Sequence, residues 1–330
     1  MKKATLGIIG AGWIGDWYFD AYTRCQDRFH LAGAAGDPSP EGFVRLEKKC
    51  AKWGNIRPYA TAEELIADPS IQAIAVFSPN SFHFEQVKMA LEAGKHVLVE
   101  KPVTLDVKQD LELERLANKK GLIIFPGHNF VYRPVDLEAK KIIESGRLGN
   151  ISYGSFRACH FIPPEHSAGW RKQMSLAGGG AMMDSGTHLV YQSIYLLGLP
   201  QYISCFSTKK HYLEMDGEDT CLIAAQYASG TVAQIFQSWS AADEGAAEVR
   251  IQGDKGILLI SDALYFNGKK ITDDCSYANS FYHTLGAFYN SIETAETPVS
   301  TIHDAANTLS MIQTAYQVSG TRKIAEYKPI

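Results

Sequence analysis

Residues 5–15 read Thr-Leu-Gly-Ile-Ile-Gly-Ala-Gly-Trp-Ile-Gly, TLGIIGAGWIG. A short apolar run ends at Gly10, and an amphipathic pattern, Ile14–Cys25, opens at once. Between them Gly10, Gly12 and Gly15 fit G-x-G-x-x-G. Strand, tight turn and helix in that order, at the start of a βαβ unit, are what a dinucleotide fingerprint requires. Gly10 permits the tight turn, Gly12 lets the backbone approach a pyrophosphate, and Gly15 lets helix and strand pack closely. Trp13 and Ile14 complete the turn, and the helix start offers N–H groups and a positive dipole end to phosphate.

Working outward, the apolar runs Leu31–Gly36, Ala73–Ser78, His96–Glu100 and Leu122–Pro126 alternate with helical patterns at Glu41–Lys52, Phe84–Ala93 and Asp106–Lys120. Near-continuous apolar strands between helices imply a parallel sheet covered on both faces. Asp37 ends the second strand about twenty residues past the glycines, where an acid hydrogen-bonds the adenosine ribose. A carboxylate there repels a 2′-phosphate, which favours NAD over NADP, with Ser39 leaving some tolerance. After residue 128 the texture changes. One helix, Val135–Ser145, precedes runs that alternate in the manner of antiparallel strands: Ile151–Phe161, Tyr202–Ser207, Thr220–Tyr227, Thr231–Trp239, Ala247–Gly253 and Ile257–Ser261. Helical patterns at Ser280–Glu293 and His303–Ser319 close the chain. The fold class expected is α/β: residues 1–127 form a Rossmann doubly wound parallel sheet. Residues 128–330 form an α+β domain on an open, mostly antiparallel sheet.

The 330 residues carry a net charge of −4, and no Lys/Arg run stands out, so nucleic acid and anionic membranes are not expected partners. No apolar stretch approaches the ~20 residues of a membrane span. Six scattered cysteines without a C-x-x-C pair suggest reduced thiols, and a cytoplasmic location is expected.

Residues 178–188, GGGAMMDSGTH, join three glycines to Asp184 and His188. If a helix starts just after the glycines, the carboxylate and imidazole share one face. The glycines themselves imply close approach or unusual dihedrals.

Gly10–Gly15, Ser78-Pro79-Asn80 with His83, Glu100-Lys101-Pro102, Trp170-Arg171 and GGGAMMDSGTH, in this order and spacing, resemble the glucose–fructose oxidoreductase/inositol dehydrogenase (Gfo/Idh/MocA) family. The resemblance covers essentially the whole chain. It implies a Rossmann domain followed by a domain whose open sheet often packs on another subunit, hence a homodimer or homotetramer. It also implies that Lys101 reaches nicotinamide and substrate, that Asp184 and His188 flank the reacting carbinol, and that Ser78, Pro79, Asn80 and His83 line the cofactor. Glu100 resembles the acid near the nicotinamide ribose, and Asn129 joins the cofactor-binding set. Where many members have Asn-x-Arg-aromatic-x-Pro, this chain has Asn129-Phe130-Val131-Tyr132-Arg133-Pro134. The arginine position holds Val131, and Arg133 is displaced.

The reading is an oxidoreductase that moves a hydride between nicotinamide and a secondary alcohol or ketone of a sugar, cyclitol or sugar derivative. Such chemistry needs a proton acceptor and a partner for the developing alkoxide. An imidazole as a side-chain type titrates near neutral pH, so a histidine suits the proton and His188 is placed there; Lys101 suits the oxygen, although a desolvated Lys101 could itself be the base. Asp184 orients the imidazole or binds a neighbouring hydroxyl. Trp170 and Arg171 are substrate-wall candidates, with Tyr153, His160, Tyr191 and His283 behind them. A metal on Asp184 and His188 with His160 or His166 is the alternative; without an H-E-x-x-H cluster, none is expected. Two rivals keep the fold: a glycoside-modifying enzyme that retains NAD, and a non-catalytic sensor of NAD and metabolite.

Overall fold

A computed structural model describes residues 3–163, 167–241, 247–321 and 323–330. Two compact units are formed, Met1–Asn129 with Tyr277–His303, and Phe130–Ser276 with Asp304–Ile330.

The first unit is built on β1 (Ala4–Ile9), β2 (Phe29–Ala35), β3 (Arg57–Pro58), β4 (Ala73–Val76), β5 (His96–Val99) and β6 (Ile124–Pro126). Every pairing is parallel and the order is β3-β2-β1-β4-β5-β6, the doubly wound arrangement expected. All four residues of β4 are buried, as a strand covered on both faces must be. The helices start where local chemistry starts them. Ser39 Oγ accepts from Gly42 N at 3.0 Å with Pro40 beginning helix Pro40–Lys52, and Asp106 accepts from Lys108 N at 2.9 Å before helix Val107–Lys120. Helix Trp13–Thr23 packs on helix Tyr277–Thr294, with Trp17 stacked on Phe281 at 6.0 Å.

One residue of helix Val107–Lys120 carries a stability consequence. Asp110 is 1% exposed, and burial pushes its carboxyl up to about 7, Thr104 opposing and Asp106 adding to the rise. The folded pKa lies above the unfolded one, so the folded state holds the extra proton. Stability therefore falls as pH rises through the interval from ~4 to ~7 and is flat beyond. Asp110→Asn should abolish that loss and stabilise the protein at pH 8 by up to about 4 kcal/mol, with little effect at pH 4. Urea melts of both proteins at the two pH values check it; an equal effect at both would refute the assignment.

The second unit holds β7 (Ile151–Cys159), β8 (Tyr202–Thr208), β9 (Thr220–Gln226), β10 (Val232–Ser238), β11 (Glu248–Gly253), β12 (Gly256–Ile260), β13 (Leu264–Phe266), β14 (Lys269–Thr272) and β15 (Ala325–Glu326). Their order is β14-β13-β12-β11-β7-β10-β9-β8-β15, and among the described residues of this second sheet β7 with β10 is the one parallel pair. Register aligns Cys205, Ile223, Ile235, Phe156, Val249 and Ile260 in one buried row across six strands. The next row, Phe206, Leu222, Phe236, Arg157 and Glu248, falls on the opposite face, where Phe206 is 64% exposed. The period of two thus separates a core face from an open one. No helix among the described residues is long and apolar enough to cross a membrane.

Candidate active site

In the first unit the marked residues follow the carboxyl ends of adjoining strands: Gly10–Gly15 after β1, Ser78–His83 after β4, Glu100 and Lys101 after β5, and Asn129 after β6, where His128, which sequence did not mark, precedes it. β1 and β4 are neighbours whose connections leave in opposite directions, the place where open α/β sheets bind ligands. Gly10 has φ +99°, and a Cβ there would lie 2.5 Å from the Phe77 carbonyl carbon, so the turn presses directly on the end of β4. Gly12 begins helix Trp13–Thr23, and a Cβ on it would meet nothing within 4 Å. That open space at a helix start fits a phosphate-bearing ligand. Trp13 beside it is 49% exposed, and Ile14 is half-buried.

Other marked residues serve as brackets. His83 is fully buried, with Nδ1 2.9 Å from the Pro102 carbonyl and Nε2 2.8 Å from the Ser78 carbonyl. Its ring ties the Ser78–Pro79 turn to the segment after Lys101, and burial lowers its pKa. Ser78 Oγ donates to Gln86 at 2.6 Å, and Asn80 is buried. Glu100 is buried too; it accepts from Tyr18 OH at 3.0 Å and from Lys101 N at 3.1 Å. Lys101 is half-buried and precedes a cis peptide bond to Pro102. Burial and the Lys101 charge push His128 down to about 3, so His128 stays neutral beside the lysine. Asn129 donates to Ser280 Oγ at 2.7 Å. Asp37 is exposed; its carboxylate accepts from Ser39 N at 3.0 Å and from Arg45 at 2.8 Å.

In the second unit the segment after the glycines forms two helices, Ala181–Asp184 and Thr187–Leu197, and not one. The break falls at Ser185–Gly186: Ser185 Oγ accepts from Trp239 Nε1 at 3.0 Å, and Thr187 Oγ1 turns back to the Met183 carbonyl. Between residues 181 and 190 all are buried except Asp184, Ser185 and His188, so the carboxylate and imidazole still share the accessible side. Asp184 Oδ2 accepts from Arg171 Nε at 2.5 Å, and the Arg171 guanidinium lies 4.4 Å from the Trp170 ring. His188 Nδ1 is 2.7 Å from Tyr191 OH, which also accepts from Phe130 N at 3.1 Å. The imidazole stacks on Phe130 at 4.6 Å, and Arg133 lies 4.1 Å over the same ring. Arg133 itself is buried and donates to Asp136 at 2.7 Å, so the displaced arginine of the Asn129–Pro134 segment supports the His188 platform from within. Val131 is buried.

Gly180 is packed against the protein's own backbone and Gly179 against side chains. A Cβ on Gly180 would lie 2.0 Å from the Glu218 carbonyl oxygen, and one on Gly179 2.5 Å from Tyr316 OH. Glu218 then receives Met182 N at 2.8 Å, Gly180 N at 3.1 Å and Tyr316 OH at 3.0 Å, while its carbonyl receives Ala181 N at 2.8 Å. Burial raises its pKa against those donors. Glu218 was not foreseen from sequence; a lone Glu after a Gly carries no pattern. Phe130, as a platform for His188, was not foreseen either. Tyr191, weighed only as a wall, sits beneath His188, and His160 lies close enough to Asp184 for that carboxylate to oppose the burial that lowers its pKa. Tyr153 falls on the open face of the sheet with Val232 and Gln252, and His283 lies in helix Tyr277–Thr294 of the first unit. His166 lies outside the described residues. Among the described residues no group of three His, Cys, Asp or Glu side chains could hold a metal.

Comparison with known proteins adds three findings. The family described as "Oxidoreductase family, NAD-binding Rossmann fold" matches residues 4–128, and its "GFO/IDH/MocA C-terminal domain" matches residues 137–259. A scyllo-inositol 2-dehydrogenase (NADP(+)) of Bacillus subtilis (strain 168) is 33% identical over 60% of this chain and 53% of its own. A levoglucosan dehydrogenase of Pseudarthrobacter phenanthrenivorans is 29% identical over 60% and 52%. The chain thus spans about half the length of these curated relatives. A solved levoglucosan dehydrogenase in complex with NADH superposes with a TM-score of 0.89 over 100% of both chains at 19% identity, a likeness of fold.

Proposed function

Because the chain belongs to the Gfo/Idh/MocA oxidoreductase family, we propose that it is a nicotinamide-dependent dehydrogenase. Its reaction is reversible hydride transfer at a secondary alcohol of a sugar, cyclitol or sugar derivative. The observation that carries this reading is the row of Gly10–Gly15, the Ser78 turn and Glu100-Lys101 along the carboxyl ends of β1, β4 and β5. A sugar- and an inositol-oxidising relative support the substrate class.

NAD, when bound, supplies a nicotinamide C4 that accepts the hydride. The chain's own residues do the rest. Gly12 and the start of helix Trp13–Thr23 receive the pyrophosphate, and Asp37 receives the ribose hydroxyls, which favours NAD. Lys101 steadies the oxygen as negative charge develops on it. His188 takes the hydroxyl proton. With Tyr191 OH at Nδ1, proton exchange is assigned to Nε2, and the Phe130 face fixes the ring plane. Arg171 holds Asp184 as a carboxylate that accepts from a neighbouring hydroxyl. The apolar side chains on the open sheet face support self-association, and the mostly buried cysteines support a reducing, cytoplasmic setting.

The test is a panel of inositols, levoglucosan, hexoses and glycosides with NAD or NADP, followed at the NADH absorbance band. Turnover of one or more polyols with a bound coenzyme is expected. A protein that binds neither NADH nor NADPH in a fluorescence titration would sink the reading.

A further inference from the structure

Arg171 and Asp184 meet at 2.5 Å, yet the chain between them does little to set that spacing. It runs through helix Met174–Ala177 and then three glycines, which leave a backbone free to turn. Both ends are instead fastened from outside by one tripeptide, Asp216-Gly217-Glu218. Asp216 Oδ2 accepts from Met174 N at 3.0 Å, and Asp216 N donates to the Lys172 carbonyl at 2.9 Å, which grips the segment just past Arg171. Two residues on, Glu218 Oε2 accepts from Gly180 N at 3.1 Å and Oε1 from Met182 N at 2.8 Å, which grips the helix that ends at Asp184. Gly217 lies between the two grips; a Cβ there would stand 2.5 Å from Gly180 N, so the two backbones touch. The tripeptide has its own footing. Buried Asp219 takes the N–H groups of Lys210, His211 and Tyr212 at 2.7, 2.6 and 3.2 Å, and Lys209 Nζ donates to the Met215 carbonyl.

From this geometry we infer that Asp216 and Glu218 are positioning residues, a bracket that sets the spacing of Arg171 and Asp184. Their part in the reaction rests on the dehydrogenase reading above, in which Asp184 accepts from a hydroxyl beside the reacting carbon. Each grip is a carboxylate on backbone N–H groups, a charge-assisted bond that fixes the main chain itself. A slack grip on either side lets guanidinium and carboxylate drift apart, and the acceptor for the hydroxyl drifts with them.

The experiment follows modification of the full chain by phenylglyoxal, an arginine-selective dicarbonyl, with the rate at each arginine read by peptide mass spectrometry. Paired to Asp184, the Arg171 side chain is 19% exposed; Arg133, buried at 9% in the same unit, reports general loosening. Asp216 is exposed, so Asp216→Ala spares the core. It should raise the Arg171 rate about three- to tenfold and leave Arg133 unchanged, the size of losing one charge-assisted bond. Glu218→Gln, whose single amide oxygen serves one N–H group and not two, should do the same. Asp216→Asn, which keeps an acceptor for Met174 N, should stay within about twofold of wild type. An Arg171 rate that does not move, an Arg133 rate that rises in step with it, or Asp216→Asn reacting like Asp216→Ala overturns the inference. On the best alcohol of the panel, Asp216→Ala should lower kcat/KM about three- to tenfold in wild type and less than about 1.5-fold in Arg171→Ala. Equal losses in both backgrounds also overturn it, because the residue then acts other than through Arg171. A wild type that turns over no alcohol sinks the dehydrogenase reading alone, and the dicarbonyl rates, which need no substrate, still decide the bracket.

Discussion

His188→Ala should lower kcat about 10²- to 10⁴-fold on the best alcohol of the panel, with the NADH dissociation constant unchanged within about twofold. The size follows from what the imidazole does in the proposal: it takes the hydroxyl proton while hydride leaves the same carbon. Without it that proton goes to water, and the alkoxide forms at a cost the lysine only partly offsets. The ring is prepared for the task by its surroundings. Phe130 stacks on one face at 4.6 Å, and Tyr191 OH lies 2.7 Å from Nδ1, so the ring plane is fixed and the proposal gives Nε2 the proton. Single-turnover measurement of hydride transfer is the direct readout, because coenzyme release can mask chemistry in steady state. Should the single-turnover rate survive the substitution, the proton belongs to Lys101 and His188 is a wall.

Gly180→Ala is expected to have the largest effect on stability, a loss of about 3–5 kcal/mol. The added methyl would stand 2.0 Å from the Glu218 oxygen and 2.4 Å from its nitrogen, both backbone atoms that cannot swing aside. Moving them breaks the Ala181 N–Glu218 O bond and displaces the carboxylate that receives Met182 N and Gly180 N. Those contacts seat helix Ala181–Asp184, so Asp184 should shift with the turn. Guanidinium unfolding measures the loss. A variant within about 1 kcal/mol of wild type would mean that the glycines serve a ligand and not this packing.

Much of the first unit was legible because its strands are buried on both faces. AIAV and HVLV are apolar without interruption, and a run of that length between helical patterns admits one reading. Arg57–Pro58 and Ala325–Glu326 were not legible: two residues have no period, and the strands exist only because a neighbour pairs with them. Helix Ala62–Ala67 is likewise too short for a face to show. The alternating strands of the second unit were read because each has one core-facing side, but sequence does not reveal that β10 runs parallel to β7. Spacing and the glycines single out Asp184 and His188, whereas Arg171 and Tyr191 read only as substrate walls, not as their partners, and Phe130 as neither. Arg171 and Phe130 approach through turns that local pattern does not encode, and the Ser185 hydroxyl at the break between the helices accepts from Trp239, just past the end of β10. The glycines announced close approach correctly in kind, but what approaches, the Gly217–Glu218 backbone, is visible only once the chain is folded.

The chain enters the second unit after Asn129, returns to the first for Tyr277–His303, and leaves it again. On a ribosome adding ~5–20 residues per second, the Rossmann sheet emerges whole, yet the helix that covers Trp17 and Tyr18 is still untranslated for ~10–30 s. During that interval an aromatic patch on a nascent protein stands uncovered, a natural docking place for a chaperone. A gene fragment cut at the first crossing would keep that patch permanently and should come out of cells as aggregate.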